Sequence, residues 1–145
     1  MVERVLTMKN IFTALIFLFA FTLVSTVHAE SWKYATVNAY GSWYVDSDSV
    51  SLIKDADGEL IFFALIKQEP SAQSRNSKNV AYSIFREEFK LSDGIRYFRV
   101  GAVTNYTFDG EAISDPVETF DWDIIPEDSA VNSMYNTAYR LLRRD

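Results

Sequence analysis

Short runs of apolar and β-branched residues, separated by polar turn signals, follow one another from residue 32 onward. Runs of this length that end at Gly, Asn, Asp or Ser predict β-strands joined by tight turns. Asp-Gly pairs at 57–58 and 109–110, and Ser-Asp-Gly at 92–94, are typical of hairpins. The predicted strands cover residues 32–37, 42–46, 50–54, 60–68, 80–91 and 95–108, then a weak strand and residues 120–124.

The last part of the chain predicts a helix. Pro126 and two acids precede Ser129, so Asp128 or Ser129 can cap the helix, and the acids suit its positive end. Apolar residues then recur at helical spacing and predict a face that packs on the core: Val131, Met134, Tyr135, Ala138, Leu141 and Leu142. Gly101 interrupts a long strand and predicts a bulge or bend there.

Residues 1–29 have the features of a secretory signal peptide. Lys9 precedes an apolar run at 11–27, and Val27-His28-Ala29 supplies small residues for cleavage. We therefore expect an exported protein, periplasmic or secreted, with residues 30–145 forming one domain. An uncleaved membrane anchor is the alternative, and Met8 is a second candidate for the start.

Composition narrows the classes of function. The chain is 48% hydrophobic and 15% aromatic, which fits a globular domain. A net charge of −6 gives no overall attraction to nucleic acid. The single His28 lies in the predicted signal peptide and there is no Cys. The mature chain therefore lacks the residues of Ser-His-Asp and Cys-His catalysis, of zinc sites, of disulfides and of a lipid anchor. We expect no catalytic or metal-binding residues and no cofactor.

Four motifs that resemble sites are expected to be structural. The segment 55–58 begins like a calcium loop, but the aligned ligand positions Ile53 and Ala64 are apolar. Ser51 and Lys54 have the spacing of a Ser-Lys dyad, which needs a helix, whereas a regular strand points them to opposite faces. We expect the acid pairs 46/48 and 121/123 to lie in solvated turns. We expect Asn105, which has a glycosylation pattern, to lie within a strand.

Basic residues in and near the polar segment 69–79 form a candidate binding patch: Arg75, Lys78, Arg86, Arg96 and Arg99. The favoured alternative is that these charges are solvated or pair across strands with Glu87 and Glu88.

Strand 60–68 is apolar on both faces. A helix covers one face of a sheet, so the face with Ile61 and Phe63 needs another cover. Either the sheet curls at Gly101, or this face binds a protein partner or a second copy of the chain.

The order of several segments resembles the surface-adhesin protein E family. Trp32 is followed by Trp-Tyr-Val-Asp-Ser-Asp-Ser-Val at 43–50, then by hairpins, and by Trp-Asp-Ile-Ile-Pro at 122–126 before the helix with Ser129 and Tyr135. The resemblance covers nearly all of residues 31–142. It implies an α+β fold, with a curved antiparallel β-sheet of about six strands and one C-terminal α-helix packed across it.

The resemblance also implies a non-enzymatic binding module that recognises host extracellular-matrix or serum proteins. Many members pair two cysteines and the named adhesins carry a lipid anchor, and this chain has neither feature. Those departures weaken the inference of host adhesion more than that of the fold. The alternative function is a structural or accessory protein of the bacterial cell envelope that contacts other envelope proteins.

Overall fold

A computed structural model describes residues 31–74, 79–115 and 121–144. These residues form eight β-strands and one α-helix, in the order strands first and helix last. The strands are β1 (Trp32–Asn38), β2 (Gly41–Asp46), β3 (Ser51–Ala56), β4 (Glu59–Pro70), β5 (Val80–Ser92), β6 (Ile95–Thr107), β7 (Ala112–Asp115) and β8 (Asp123–Ile124), and the helix is α1 (Ala130–Leu142). The predicted signal peptide lies outside the described residues.

All eight strands belong to one antiparallel sheet. Six of them follow the order β1-β2-β4-β5-β6-β7, while β3 pairs with β4 and β8 pairs with β6. The helix packs against β1, β2 and β4 on one face of the sheet. The predicted antiparallel sheet of about six strands with a C-terminal helix across it is confirmed, and two short strands extend it.

Tight turns explain why the strands are antiparallel and how their registers are fixed. Asp57 and Gly58 both have positive φ, 57° and 74°, and Asp93 and Gly94 repeat this with 51° and 75°. Two successive positive φ angles define the hairpin turn whose twist matches paired strands. The predicted hairpins at 57–58 and 92–94 are therefore confirmed, and the segment 55–58 is a hairpin rather than a calcium loop.

β-Bulges bend the sheet at several places. Arg86 lies opposite Ala102 and Glu87 opposite Val100, so Gly101 is the extra residue of a bulge in β6, as predicted. A second bulge lies at Ile53 in β3. The expectation that Ser51 and Lys54 point to opposite faces of the sheet is therefore wrong. Because Ser51 pairs with Phe63 and Lys54 with Ile61, both side chains lie on the same face despite being in a strand.

The core lies between the helix and the alternate residues of the central strands. The side chains of Leu60, Phe62, Ala64 and Ile66 of β4 are buried, and Phe89 of β5, which pairs with Phe62, is fully buried. Ser129 caps the helix, because its hydroxyl accepts a 3.1 Å hydrogen bond from the backbone N–H of Asn132. The predicted core face of the helix is confirmed: Met134, Tyr135 and Ala138 are buried, and Val131, Leu141 and Leu142 pack against them.

Candidate functional site

The second face of the sheet carries the odd-numbered residues of β4. Ile61, Phe63 and Leu65 are half-buried there, opposite Lys90, Glu88 and Arg86 of β5. Among the described residues the helix is the only element outside the sheet, and it packs on the other side. The described residues leave this second face, with its half-buried apolar side chains, without a second layer.

Cations on this face lie against aromatic rings. We call this surface the aromatic–basic face. Its four basic side chains and five rings surround the central carboxylate of Glu88: Lys67, Arg86, Lys90 and Arg99; Trp32, Tyr44, Phe63, Tyr97 and Trp122. A cation within about 6 Å of a ring centroid is attracted by the π electrons, so these contacts orient long basic side chains that would otherwise be mobile.

Glu88 holds the centre of the aromatic–basic face. Its two carboxylate oxygens accept hydrogen bonds of 2.6 Å from Nη1 of Arg86 and 2.6 Å from Nε of Arg99. Burial opposes ionisation of this side chain, but the two guanidinium donors outweigh burial, and the pKa of Glu88 lies below its ordinary value. One ionised carboxylate therefore fixes two arginines side by side.

Aromatic rings extend the face on both sides of this centre. The guanidinium of Arg86 lies 4.3 Å from the ring centroid of Phe63. Arg99 and Lys90 lie 4.3 and 4.8 Å from the ring of Trp122, which directly precedes β8. The pairing of β8 with β6 therefore brings a ring that is distant in sequence onto the face.

The β1–β2 side of the face is organised by Lys67. Its ammonium lies 4.9 Å from the ring of Trp32 and 5.0 Å from the ring of Tyr44, and 3.2 Å from a carboxylate oxygen of Glu69. Tyr34 continues the row, packing edge-on to Tyr44 with the ring centroids 5.9 Å apart. The aromatic segment 43–50 that carries the family resemblance thus contributes to the aromatic–basic face.

The structure places the predicted site residues as follows. Ile61 and Phe63 lie on the aromatic–basic face, and Arg86 and Arg99 meet there at Glu88. Arg96 is separated from them, because it packs on the helix through Asn132. Arg75 and Lys78 lie outside the described residues. Of the five residues of the predicted basic patch, the structure therefore brings together Arg86 and Arg99.

Glu87 departs from the expectation that it pairs with a cation. It faces the core between Ala64 and Val100, is only 4% exposed, and its Oε2 atom has no hydrogen-bond partner. Burial raises the pKa of Glu87 to about 8. The alternation of Phe85, Glu87 and Phe89 along β5 was the available signal, since it places the carboxyl on the apolar face.

Residues of two motifs that were expected to be structural have hydrogen-bond or ion-pair partners elsewhere. The hydroxyl of Ser51 donates to the carbonyl of Ser49, and Lys54 pairs with Glu59 at 2.9 Å, so Ser51 and Lys54 do not form a dyad. Asn105 lies within β6 and accepts a 2.6 Å hydrogen bond from Ser83. Within the described ranges, no three His, Cys, Asp or Glu side chains are grouped to hold a metal ion.

Two further findings concern the chain as a whole. No helix among residues 31–74, 79–115 and 121–144 is long and apolar enough to cross a membrane. Comparison with protein-family models, with curated proteins and with solved structures finds no match to this chain. The resemblance to surface-adhesin protein E therefore stays a prediction.

Proposed function

We propose that this chain is an exported, non-enzymatic binding module that recognises a protein partner through the aromatic–basic face. The observation that carries the proposal is the constellation around Glu88, where two fixed guanidinium groups lie beside Phe63 and Trp122. Aromatic and arginine side chains are the types enriched where proteins bind one another, since they combine large contact area with directed hydrogen bonds.

Charge indicates which partner surface fits. Cations predominate at the centre of the face, although the chain as a whole carries a net charge of −6. A partner with exposed carboxylates beside apolar groups would pair with Arg86, Lys90 and Arg99 and cover the rings between them. A host extracellular-matrix protein and a protein of the bacterial envelope both remain candidate partners on this chemistry.

Affinity capture with matched variants tests the proposal. The protein purified from the cells that make it is immobilised and exposed separately to matrix extract and to envelope extract, and retained proteins are identified by mass spectrometry. We expect a partner that is retained by the wild type and lost with Phe63→Ser and with Arg99→Gln. Phe108→Ser is the matched control, because Phe108 is 60% exposed in the β6–β7 turn.

The source of the partner decides between the two forms of the function. Retention from matrix extract supports an adhesin-like module, whereas retention from envelope extract supports the accessory role in the envelope. If Phe63→Ser and Arg99→Gln leave retention of every captured protein unchanged, the aromatic–basic face is not the binding surface.

A further inference from the structure

Three cations of the aromatic–basic face follow one another along the direction of β5. Lys90 and Arg86 belong to β5, and Arg99 of β6 pairs with Glu88, which lies midway between them. Side chains on one face of a strand recur at every second residue, about 6.6 Å apart. The three cations therefore form a row about 13 Å long that runs parallel to β5.

The row presents N–H donors to solvent, while the carboxylate between them is more buried. The side chains of Arg86 and Arg99 are 39% and 30% exposed, whereas that of Glu88 is 12% exposed. Arg86 donates to Glu88 through Nη1 and Arg99 through Nε, so each guanidinium keeps other N–H groups for a further acceptor. Because one carboxylate serves two cations, this part of the row keeps a positive charge.

Lys90 adds a second positive charge at one end of the row. Its ammonium lies 4.6 Å from the ring of Tyr97 and 4.8 Å from that of Trp122, and no carboxylate of the described ranges lies within 4.0 Å of it. Glu59, at the next position of the same face beyond Lys90, is paired with Lys54 at 2.9 Å instead.

An extended peptide has the same repeat as this row. Its alternate side chains point to one side and are also about 6.6 Å apart, so acids at positions i, i+2 and i+4 can contact all three cations together. Acids four residues apart on a helix are about 6 Å apart, but their direction rotates by about 40° at each step, so the third would point away from the row. The spacing therefore favours an extended ligand.

We propose that the aromatic–basic face binds an extended segment of a protein partner that carries acidic residues at three alternate positions, one each for Lys90, Arg99 and Arg86. This inference rests on the proposed function and adds the conformation and the spacing of the segment that is recognised. The middle acid contacts Arg99 whichever way the segment runs, because Arg99 lies between the other two cations.

Peptides of equal composition test the spacing. The purified protein is titrated in about 50 mM salt, where charge pairs are weakly screened, and binding is followed by amide chemical shifts. The probes are Ac-Thr-Glu-Thr-Glu-Thr-Glu-Thr-amide, Ac-Thr-Thr-Glu-Glu-Glu-Thr-Thr-amide, and the alternating peptide with Gln in place of Glu. We expect the alternating acidic peptide to bind about threefold more tightly than the block peptide, which presents only two acids to one side, and at least about tenfold more tightly than the Gln peptide. The shifts should follow β5 and β6.

Matched variants locate the individual contacts. Lys90→Gln should weaken the alternating peptide about threefold. Lys33→Gln removes the same charge from an exposed position on the helix side of the sheet and should leave the affinity unchanged. Replacing the middle Glu of the peptide by Gln should weaken binding to the wild type and to Lys90→Gln, but not to Arg99→Gln, because its partner is then already absent. Melting temperatures measured alongside show whether each variant is folded.

Several results would overturn the proposal. They are no binding of the alternating peptide, equal binding of the alternating and block peptides, shifts outside β5 and β6, or equal effects of Lys90→Gln and Lys33→Gln. Binding of a heparin oligosaccharide without the alternating peptide would also overturn it, and would assign the row to a sulfated polysaccharide. If one of these results occurs while capture from extracts still depends on Phe63 and Arg99, the proposed function stands and only the acidic spacing fails.

Discussion

Burial of the Glu87 carboxyl makes the stability of the fold depend on pH. A carboxyl that is 4% exposed and lacks a partner for Oε2 is disfavoured in its ionised form, and burial accordingly raises its pKa to about 8 from an ordinary value of 4.5. In the unfolded chain the same group ionises at its ordinary pKa. The folded state therefore binds the proton more tightly, and its stability relative to the unfolded state falls as pH rises from 4.5 through 8.

We expect Glu87→Met to stabilise the protein, and to do so increasingly with pH. Protonation of Glu87 in the folded state costs about 3 kcal/mol of stability at pH 7, since each pH unit between the unfolded pKa of 4.5 and pH 7 is worth about 1.4 kcal/mol. Urea unfolding of both proteins between pH 4.5 and 8.5 measures the difference. Glu88→Gln is the control, because Glu88 is ion-paired on the other face. A difference between wild type and Glu87→Met that stays constant over this range would contradict the assignment.

Gly41 is required by a close approach of two backbones. A Cβ atom there would lie 2.0 Å from the carbonyl oxygen of Glu69, and its φ of +145° is one that other residues rarely adopt. We expect Gly41→Ala to lower the free energy of unfolding by about 3 kcal/mol, from strain and displacement of β4. Gly58→Ala shares a positive φ but meets nothing within 4 Å, so it should cost only about 1 kcal/mol. Equal losses in the two variants would show that the approach to Glu69 is unimportant.

At the scale of elements, the helix supplies much of the core. Met134 is 1% exposed and packs beneath the sheet with Tyr135, whose ring centroid lies 5.5 Å from that of Phe62. We expect Met134→Ala to cost about 2–5 kcal/mol, because the site loses buried surface and keeps a cavity. Arg140→Ala on the exposed side of the same helix is the control. Calorimetry measures both, and a melting temperature that Met134→Ala does not lower would exclude a core role for the helix.

Elements with a local signal were predictable from the sequence. The hairpins at 57–58 and 93–94 follow from residues that tolerate positive φ, and the helix from its apolar spacing and its cap at Ser129. The bulge at Gly101 was indicated by a glycine within a strand, but the bulge at Ile53 carries no such residue. Of the aromatic–basic face, Ile61 and Phe63 were foreseen as an uncovered apolar surface, and Arg86 and Arg99 as a candidate patch or as partners of Glu88. Its cations and Trp122 meet through the long-range registers of β5, β6 and β8, which no local pattern encodes.

For the whole molecule, the distribution of charge decides what covers the aromatic–basic face. A twofold homodimer places the same patch on both subunits, so Arg86, Lys90 and Arg99 of one copy would oppose those of the other. Burying like charges together is unfavourable, and salt would relieve it by screening. An acidic partner has the opposite dependence, because salt screens the attraction. The net charge of −6 also opposes association of two copies in general.

We therefore expect the protein to sediment as a monomer at micromolar concentration and low salt, and any partner captured through the aromatic–basic face to be released as salt is raised. Sedimentation velocity at 50 and 500 mM salt, for the wild type and for Phe63→Ser, measures the first expectation, and the capture assay repeated over the same range measures the second. A dimer that strengthens with salt and is lost in Phe63→Ser would assign this face to a second copy of the chain, because apolar contact around Phe63 would then outweigh the opposed arginines.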